Sequence, residues 1–313
     1  LDSFILRQRL NRRFELMKYV LVVLLAIAML ITPISGLDVV QSIESSISAS
    51  EGEQADLSST NTATLFGNDV SLTQSISQMG GGEGDVNTEA TNTGDVTAIG
   101  DATVNQGVIQ NIMGDEVTEN GANWADVVAG EEATTSQAVT QSAVADGAAI
   151  QTAGNILFCD AGVLANMNGQ LVQMAAIGEY VEQNGGNLLW SIAPEGQVGQ
   201  TAILGAISDT DAIHNADNWA LVCMDNAWVG QGSFIAGEAG GDLSQDAANL
   251  VLVFGDDPIV GQYIAGQGLA GDILIQDLSN DAAFLGDGGM LAQHIETVAF
   301  GDEVYQFISN NWA

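Results

Sequence analysis

The chain has 313 residues, of which 40 are acidic and five basic, for a net charge of −35. All five basic residues, Arg7, Arg9, Arg12, Arg13 and Lys18, stand at the start, and no Lys or Arg follows. That excludes a charge-driven grip on nucleic acid or on an anionic membrane, which needs cations on the contact face, and it removes the Arg or Lys clamp of most phosphate chemistry.

Residues 1–16 precede a complete leader that opens at Met17, so they read as translated upstream sequence or an over-long start. Lys18 and an apolar run over 20–31 are followed by the small-residue exit Ser35-Gly36. This predicts a signal helix over 17–36, cut after Gly36. An apolar core of 12 residues spans about 18 Å as helix, short of the roughly 30 Å hydrocarbon layer. The rival reading is an uncleaved anchor. With no second apolar span, the remainder is expected outside the cell, without stable membrane insertion.

Segment 37–68, rich in Ser, Thr and Glu, is expected to be a loose polar leader. From 69 to 150 small apolar and polar residues alternate, as in Asp85-Val86-Asn87-Thr88-Glu89-Ala90. Period two places them on opposite faces of a strand. Gly94-Asp95, Gly100-Asp101 and Gly114-Asp115 punctuate the runs as turns, because Gly accepts positive φ. From 151 to 313 the chain reads as a β-rich C-terminal domain. Gly-Asp recurs there at Gly241, Gly255, Gly271, Gly286 and Gly301, with apolar runs before most of them. The spacing of about 15 residues suits two strands of about five residues with two turns. The expected fold is all-β: a repetitive strand-turn-strand array, as a β-solenoid, stacked β-arches or a meander. A β-sandwich is the alternative; 161–181 reads equally as helix.

Gln and Asn recur among the apolar residues, as in Gln74-Ser75-Ile76-Ser77-Gln78, Asn105-Gln106-Gly107-Val108-Ile109-Gln110-Asn111, Gln170-Leu171-Val172-Gln173 and Gln262-Tyr263-Ile264-Ala265-Gly266-Gln267. Amides at equivalent positions form ladders when strands stack about 4.8 Å apart; the other reading is the wet face of a sheet. In style these phrases resemble the repeats of curli-type functional amyloid subunits, although the 15-residue spacing departs from the longer curli repeat. The leader, the acidity and the lack of cations resemble the extracellular sheath proteins of filamentous methanogenic archaea. That resemblance implies a tubular, amyloid-like β-assembly around cells. It is one of composition and texture, and carries over no functional residue.

Candidate chemistry is sparse. Asp211, His214 and Asp217 bring metal-competent groups together in sequence, and His294 with Glu296 shares a strand face, but neither is a metal-ligand spacing. Surface or loop positions are the expectation for both histidines. Calcium fits better: Asp225, Asp256 and Asp257 offer hard oxygen ligands in turns. Solvated acidic turns are the competing reading at each. Asp209-x-Asp211 opens like an EF-hand loop and then fails at Ile213. Cys159 and Cys223 are the only cysteines; in an exported chain they are expected to form a disulfide within the chain, or else between subunits. Trp124, Trp219 and Trp228 are candidates for an exposed ligand face for glycans, with core packing as the favoured alternative.

These features predict a secreted, non-enzymatic structural protein whose partner is itself, with Ca²⁺ as an optional bridge. The alternatives are an adhesin or Ca²⁺-dependent carbohydrate-binding module, and a hydrolase using paired carboxylates.

Overall fold

A computed structural model describes residues 36–177 and 179–312. The upstream segment 1–16 and the signal segment up to residue 35 lie outside the described residues. The chain forms β1 (Leu37–Ala49), β2 (Gln54–Gly67), β3 (Val70–Gly82), β4 (Asp85–Ala98), β5 (Ala102–Gly114), β6 (Val117–Ala129), β7 (Glu132–Ala145), β8 (Ala148–Ala161) and β9 (Leu164–Ile177). It continues as β10 (Tyr180–Ile192), β11 (Glu195–Ser208), β12 (Ala212–Cys223), β13 (Trp228–Ala239), β14 (Leu243–Phe254), β15 (Ile259–Ala270), β16 (Ile273–Leu285), β17 (Met290–Phe300) and β18 (Glu303–Trp312).

Odd-numbered strands make one nine-stranded sheet and even-numbered strands make another. Each strand pairs in parallel with the strand two places on, so each coil is a β-arch of two strands and the stack is a β-solenoid. From Trp228 to its partner Ile259 the register advances 31 residues. It advances 33 from Leu37 to Val70 and 30 from Ile273 to Glu303. The spacing of about 15 residues is therefore half a coil: one strand of 10 to 14 residues and one turn. It is not two short strands, because a strand this long is what spans the flat side of the arch. Segment 37–68 supplies the first coil, β1 and β2, on the same two sheets. The pairing runs on unbroken from the region before 150 to the region after it. Within the stretch also readable as helix, Leu164–Ile177 form β9.

Period two dictates the layering. Inward positions on both sheets run apolar, amide, apolar, amide, apolar along the strand. One apolar layer holds Val86, Val117, Val181 and Leu243. A central one holds Ile76, Val108, Leu171 and Ile264. A third, along the other edge, holds Val96, Leu157, Val222 and Val251.

The turns explain the Gly-Asp punctuation from Gly100 on, whereas Gly94-Asp95, expected as a turn, lies inside β4. A Cβ on Gly240 or Gly271 would run into the backbone carbonyl one coil before, at Asp209 or Gly240. Only Gly lets these turns stack at strand spacing. Aspartates in the same turns accept a backbone N–H from the next coil: Asp242 N donates to Asp211 Oδ1 at 2.9 Å, and Ile273 N to Asp242 Oδ1 at 3.1 Å.

Candidate functional site

The amide layers carry the chemistry of the interior. Asn61, Asn92, Asn123, Asn155, Asn187, Asn218, Asn249, Asn280 and Asn310 occupy one column through all nine even strands. Each Nδ2 donates to the Oδ1 one coil on, at 2.7–3.0 Å. The same group reaches across the core to an odd-strand carbonyl, as from Asn155 to Gln170 O at 2.8 Å. On the odd sheet Gln41, Gln74, Gln106 and Gln137 form one ladder, and Gln200, Gln231, Gln262 and Gln293 continue the column after Gly169. Here Nε2 donates the other way, to the preceding coil, as from Gln106 to Gln74 at 2.8 Å. Gln78, Gln110, Gln141 and Gln173 form a second Gln ladder. A buried amide left without partners costs free energy, and stacking at 4.8 Å satisfies it repeatedly.

Of the sequence phrases, Gln74, Gln78, Gln106, Gln110, Gln173 and Gln262 point inward and ladder, whereas Asn105, Asn111, Gln170 and Gln267 point outward to solvent. Unpartnered oxygens mark where ladders stop. Gln137 Oε1 faces Gly169, Gln173 Oε1 faces Leu204, and Gln183 Oε1 faces His214.

The column with His214 runs Glu119, Gln151, Gln183, His214, Gln245, Gln276 and Gln306. Gln151 Nε2 donates to Glu119 Oε2 at 2.6 Å, while Glu119 Oε1 and both ring nitrogens of His214 lack partners. Burial pushes the Glu119 carboxyl up to about 8, against a smaller lowering by Gln151. Burial pulls His214 down to about 4. His214 is therefore a core residue, not the expected surface or loop histidine. It points away from Asp217, which faces outward on the same strand, so the Asp211, His214 and Asp217 grouping does not converge. His294 does lie on the surface, stacked on Tyr263 with ring centroids 5.5 Å apart, and shares the outer face of β17 with Glu296.

Asp225 and Asp256 sit in stacked turns and accept backbone N–H bonds from Asp256 at 3.0 Å and Asp287 at 2.8 Å. Asp257 (φ 52°) and Asn226 (φ 51°) hold the left-handed position that Gly288 takes one coil later. Among the described residues no three His, Cys, Asp or Glu side chains gather within reach of one metal ion. Cys159 and Cys223 are free thiols, which corrects the expected intrachain disulfide. Cys159 is buried on β8 and Cys223 lies two strands away on β12. Two strand spacings are about 9.6 Å, beyond the roughly 7 Å limit for a bridge. Burial pushes the Cys159 thiol up to about 12, helped by Asp160 and Asp126.

The tryptophans are outside, not core residues. Trp124 and Trp219 share one outer column of the even sheet with Ile156, Leu188 and Leu250. Trp228 is exposed on the opposite, odd sheet, so the three do not form one ligand face. The Asn-Trp-Ala phrase follows the coil at Asn123 and Asn218. At the third copy it slips by one residue, because Asn310, not Asn311, takes the ladder position.

The even outer face carries the carboxylates. Burial raises Asp126, with Asp95 adding repulsion; burial also raises Asp217 and Asp246, the latter helped by Asp217 and Asp277. At the two ends of the stack, no described strand covers the free edges of β1 and β2 or of β17 and β18. No family model matches the chain, and no curated protein or solved structure is significantly similar to it.

Proposed function

We propose that this chain is a secreted structural subunit that assembles with copies of itself into an extracellular sheath, surface layer or fibre. The observation that carries this reading is the match between the two open ends. Setting β17 of one copy on β1 of the next, in the register of the coils, brings Leu291 to Val39, Gln293 to Gln41, Ile295 to Ile43 and Thr297 to Ser45. On the other sheet Asn310 meets Asn61. The hydrogen-bond sense also agrees: Gln41 Nε2 would donate to Gln293 Oε1, and Asn310 Nδ2 to Asn61 Oδ1, as within the stack. Two positions fit poorly: Gln306 meets Leu57 in the interior, and Glu296 meets Glu44 on the outer face, where like charges repel. Free strand edges of this kind pair with other chains unless they are blocked.

The action is mechanical and protective. Carboxylate repulsion keeps subunits apart until acid or a divalent cation such as Ca²⁺ offsets it. Burial holds the carboxyls of Asp126, Asp217 and Asp246 above the usual aspartate range, so they take up protons as the pH falls towards it. Negative-stain electron microscopy of the purified protein tests the reading, with and without Ca²⁺. Filaments, tubes or sheets are expected, forming faster near pH ~4 than near pH ~8. Dispersed particles under every condition would overturn it. The outward column in which half-buried Trp124 lines up with exposed Trp219 favours one second reading, a glycan-binding surface protein. Quenching of Trp fluorescence by glycans, with no polymer formed, would select it.

A further inference from the structure

We infer that the outer face of the odd-numbered sheet is the surface through which two copies of this chain lie side by side. The inference rests on the self-assembly reading and adds the lateral contact to it.

The distribution of charge points to this face. Every even strand carries at least one carboxylate, and on the outer face these include Asp56, Glu89, Asp126, Asp160, Glu182 and Asp217. From β3 to β15 the odd strands carry three, Glu132, Glu195 and Glu238. Glu132 and Glu195 are the first residues of their strands and Glu238 is next to last. Between those margins the outward side chains are Ser, Thr, Asn, Gln, Gly, Ala and apolar groups, with no charge of either sign. In a chain of net charge −35, this is where two copies can meet without carboxylates being pressed together.

The area suffices. Six strand spacings of about 4.8 Å by about twelve residues at ~3.3 Å give roughly 1,100 Å² per copy. Two copies would bury about 2,200 Å² in total, above the ~1,600 Å² typical of stable interfaces. The relief is self-complementary in kind. Gly199, Gly230 and Gly261 floor a groove beside which Trp228 and Tyr263 stand. Nearer the C-terminal ends of the strands, Val144, Met174, Ile207, Leu269 and Phe300 line a shallow depression of about 580 Å³. Exposed apolar surface on this scale marks an interaction site. Apart from Glu238 at the rim of that depression and Glu132 and Glu195 at the strand starts, an ionic partner would find nothing to pair with here, whereas a second copy offers the same largely neutral face.

The test uses outward positions where a side chain meets open space. A Cβ on Gly107, Gly230 or Gly261 has nothing within 4 Å. The triple variant Gly107→Glu/Gly230→Glu/Gly261→Glu places carboxylates across the face, and the matching triple Ser variant adds atoms without charge. Thr152→Glu adds a carboxylate to the opposite sheet. Circular dichroism checks that each variant keeps its strands. Filament width by electron microscopy and sedimentation of the soluble protein are then compared. We expect wild type, the Ser triple and Thr152→Glu to associate laterally, and the Glu triple to fall to single-filament width or half the soluble mass. If wild type forms no filaments but is a dimer that the Glu triple splits, the lateral contact stands and the end-to-end reading fails. If filaments form and the Glu triple bundles like wild type, the lateral contact is wrong. A wild type that never associates overturns both. A face that binds a neutral glycan while lateral association survives the Glu triple also overturns the inference.

Discussion

Glu119 and His214 stand in one buried column that is otherwise mostly Gln, and each titrates against the fold. The folded protein holds the Glu119 proton up to about 8, whereas the unfolded chain releases it near 4.5. Across that window the native state binds more protons, so this group lowers stability as pH rises. For His214 the unfolded chain binds a proton below 6.5 while the folded ring stays neutral to about 4, so its cost grows as pH falls through that range. We expect Glu119→Gln to stabilise the fold most near pH ~8, by an amount on the order of 4 kcal/mol seen as a higher melting temperature, and to converge on wild type near pH ~4. His214→Gln should show the opposite profile, gaining on the acid side with a pH-independent difference above about 6.5. Thermal melts of both variants across this range check it, and parallel wild-type and variant curves would refute it. Neither group was legible as buried. In sequence, His214 sits between Asp211 and Asp217 and reads as a surface or loop histidine; only the register shows that it occupies a Gln position, three strands along its sheet from Glu119.

At the level of single strands, the alternation was plain and the depth of the amides was not. Period two says that Gln74 and Ser75 face opposite ways, but not which way is in, because both are polar. The third dimension decides it. An amide repeated at strand spacing satisfies itself, so it can be buried where an isolated one would not. Trp goes outward for the matching reason: in β6 and β12 its neighbour Asn holds the inward position. The Asn ladder should therefore carry stability in proportion to how many neighbours each member has. Asn155→Ala strands a donor on Asn123 and an acceptor on Asn187, and removes the bond to Gln170 O. A loss of about 2–5 kcal/mol is expected. Asn310→Ala, at the open end, removes one ladder bond and should cost under about 1 kcal/mol. Urea unfolding midpoints of the two variants measure the difference; equal losses would mean that the ladder does not act as a chain.

Over the whole molecule, the sequence made the repeat visible and hid its unit. Gly-Asp every 15 residues marks half-coils, and the alternating sheets double the period. The first half of the chain joins the same stack although its turns are less regular. A coil behaves as a removable unit when neighbours present the same template. Deleting 164–194, which is β9, β10 and their turns, sets Glu195 directly after Val163. It brings Asn155 against Asn218 and Gln137 against Gln200, so the Gln column interrupted at Gly169 closes. The shortened protein is expected to fold with the same strand content per residue and a melting temperature near that of the parent. Circular dichroism and a thermal melt suffice, and an unfolded product would show that the coils are not interchangeable.

In both parallel sheets the backbone hydrogen bonds run along the stack, perpendicular to the strands, and the amide ladders add side-chain bonds in the same direction. Tension applied along that direction must break a whole coil's bonds together, two strands and their ladders at once. Tension applied to a terminal strand breaks them singly, like a zip. The molecule is built to be strong when stretched and weak when peeled, so wear would begin at its ends.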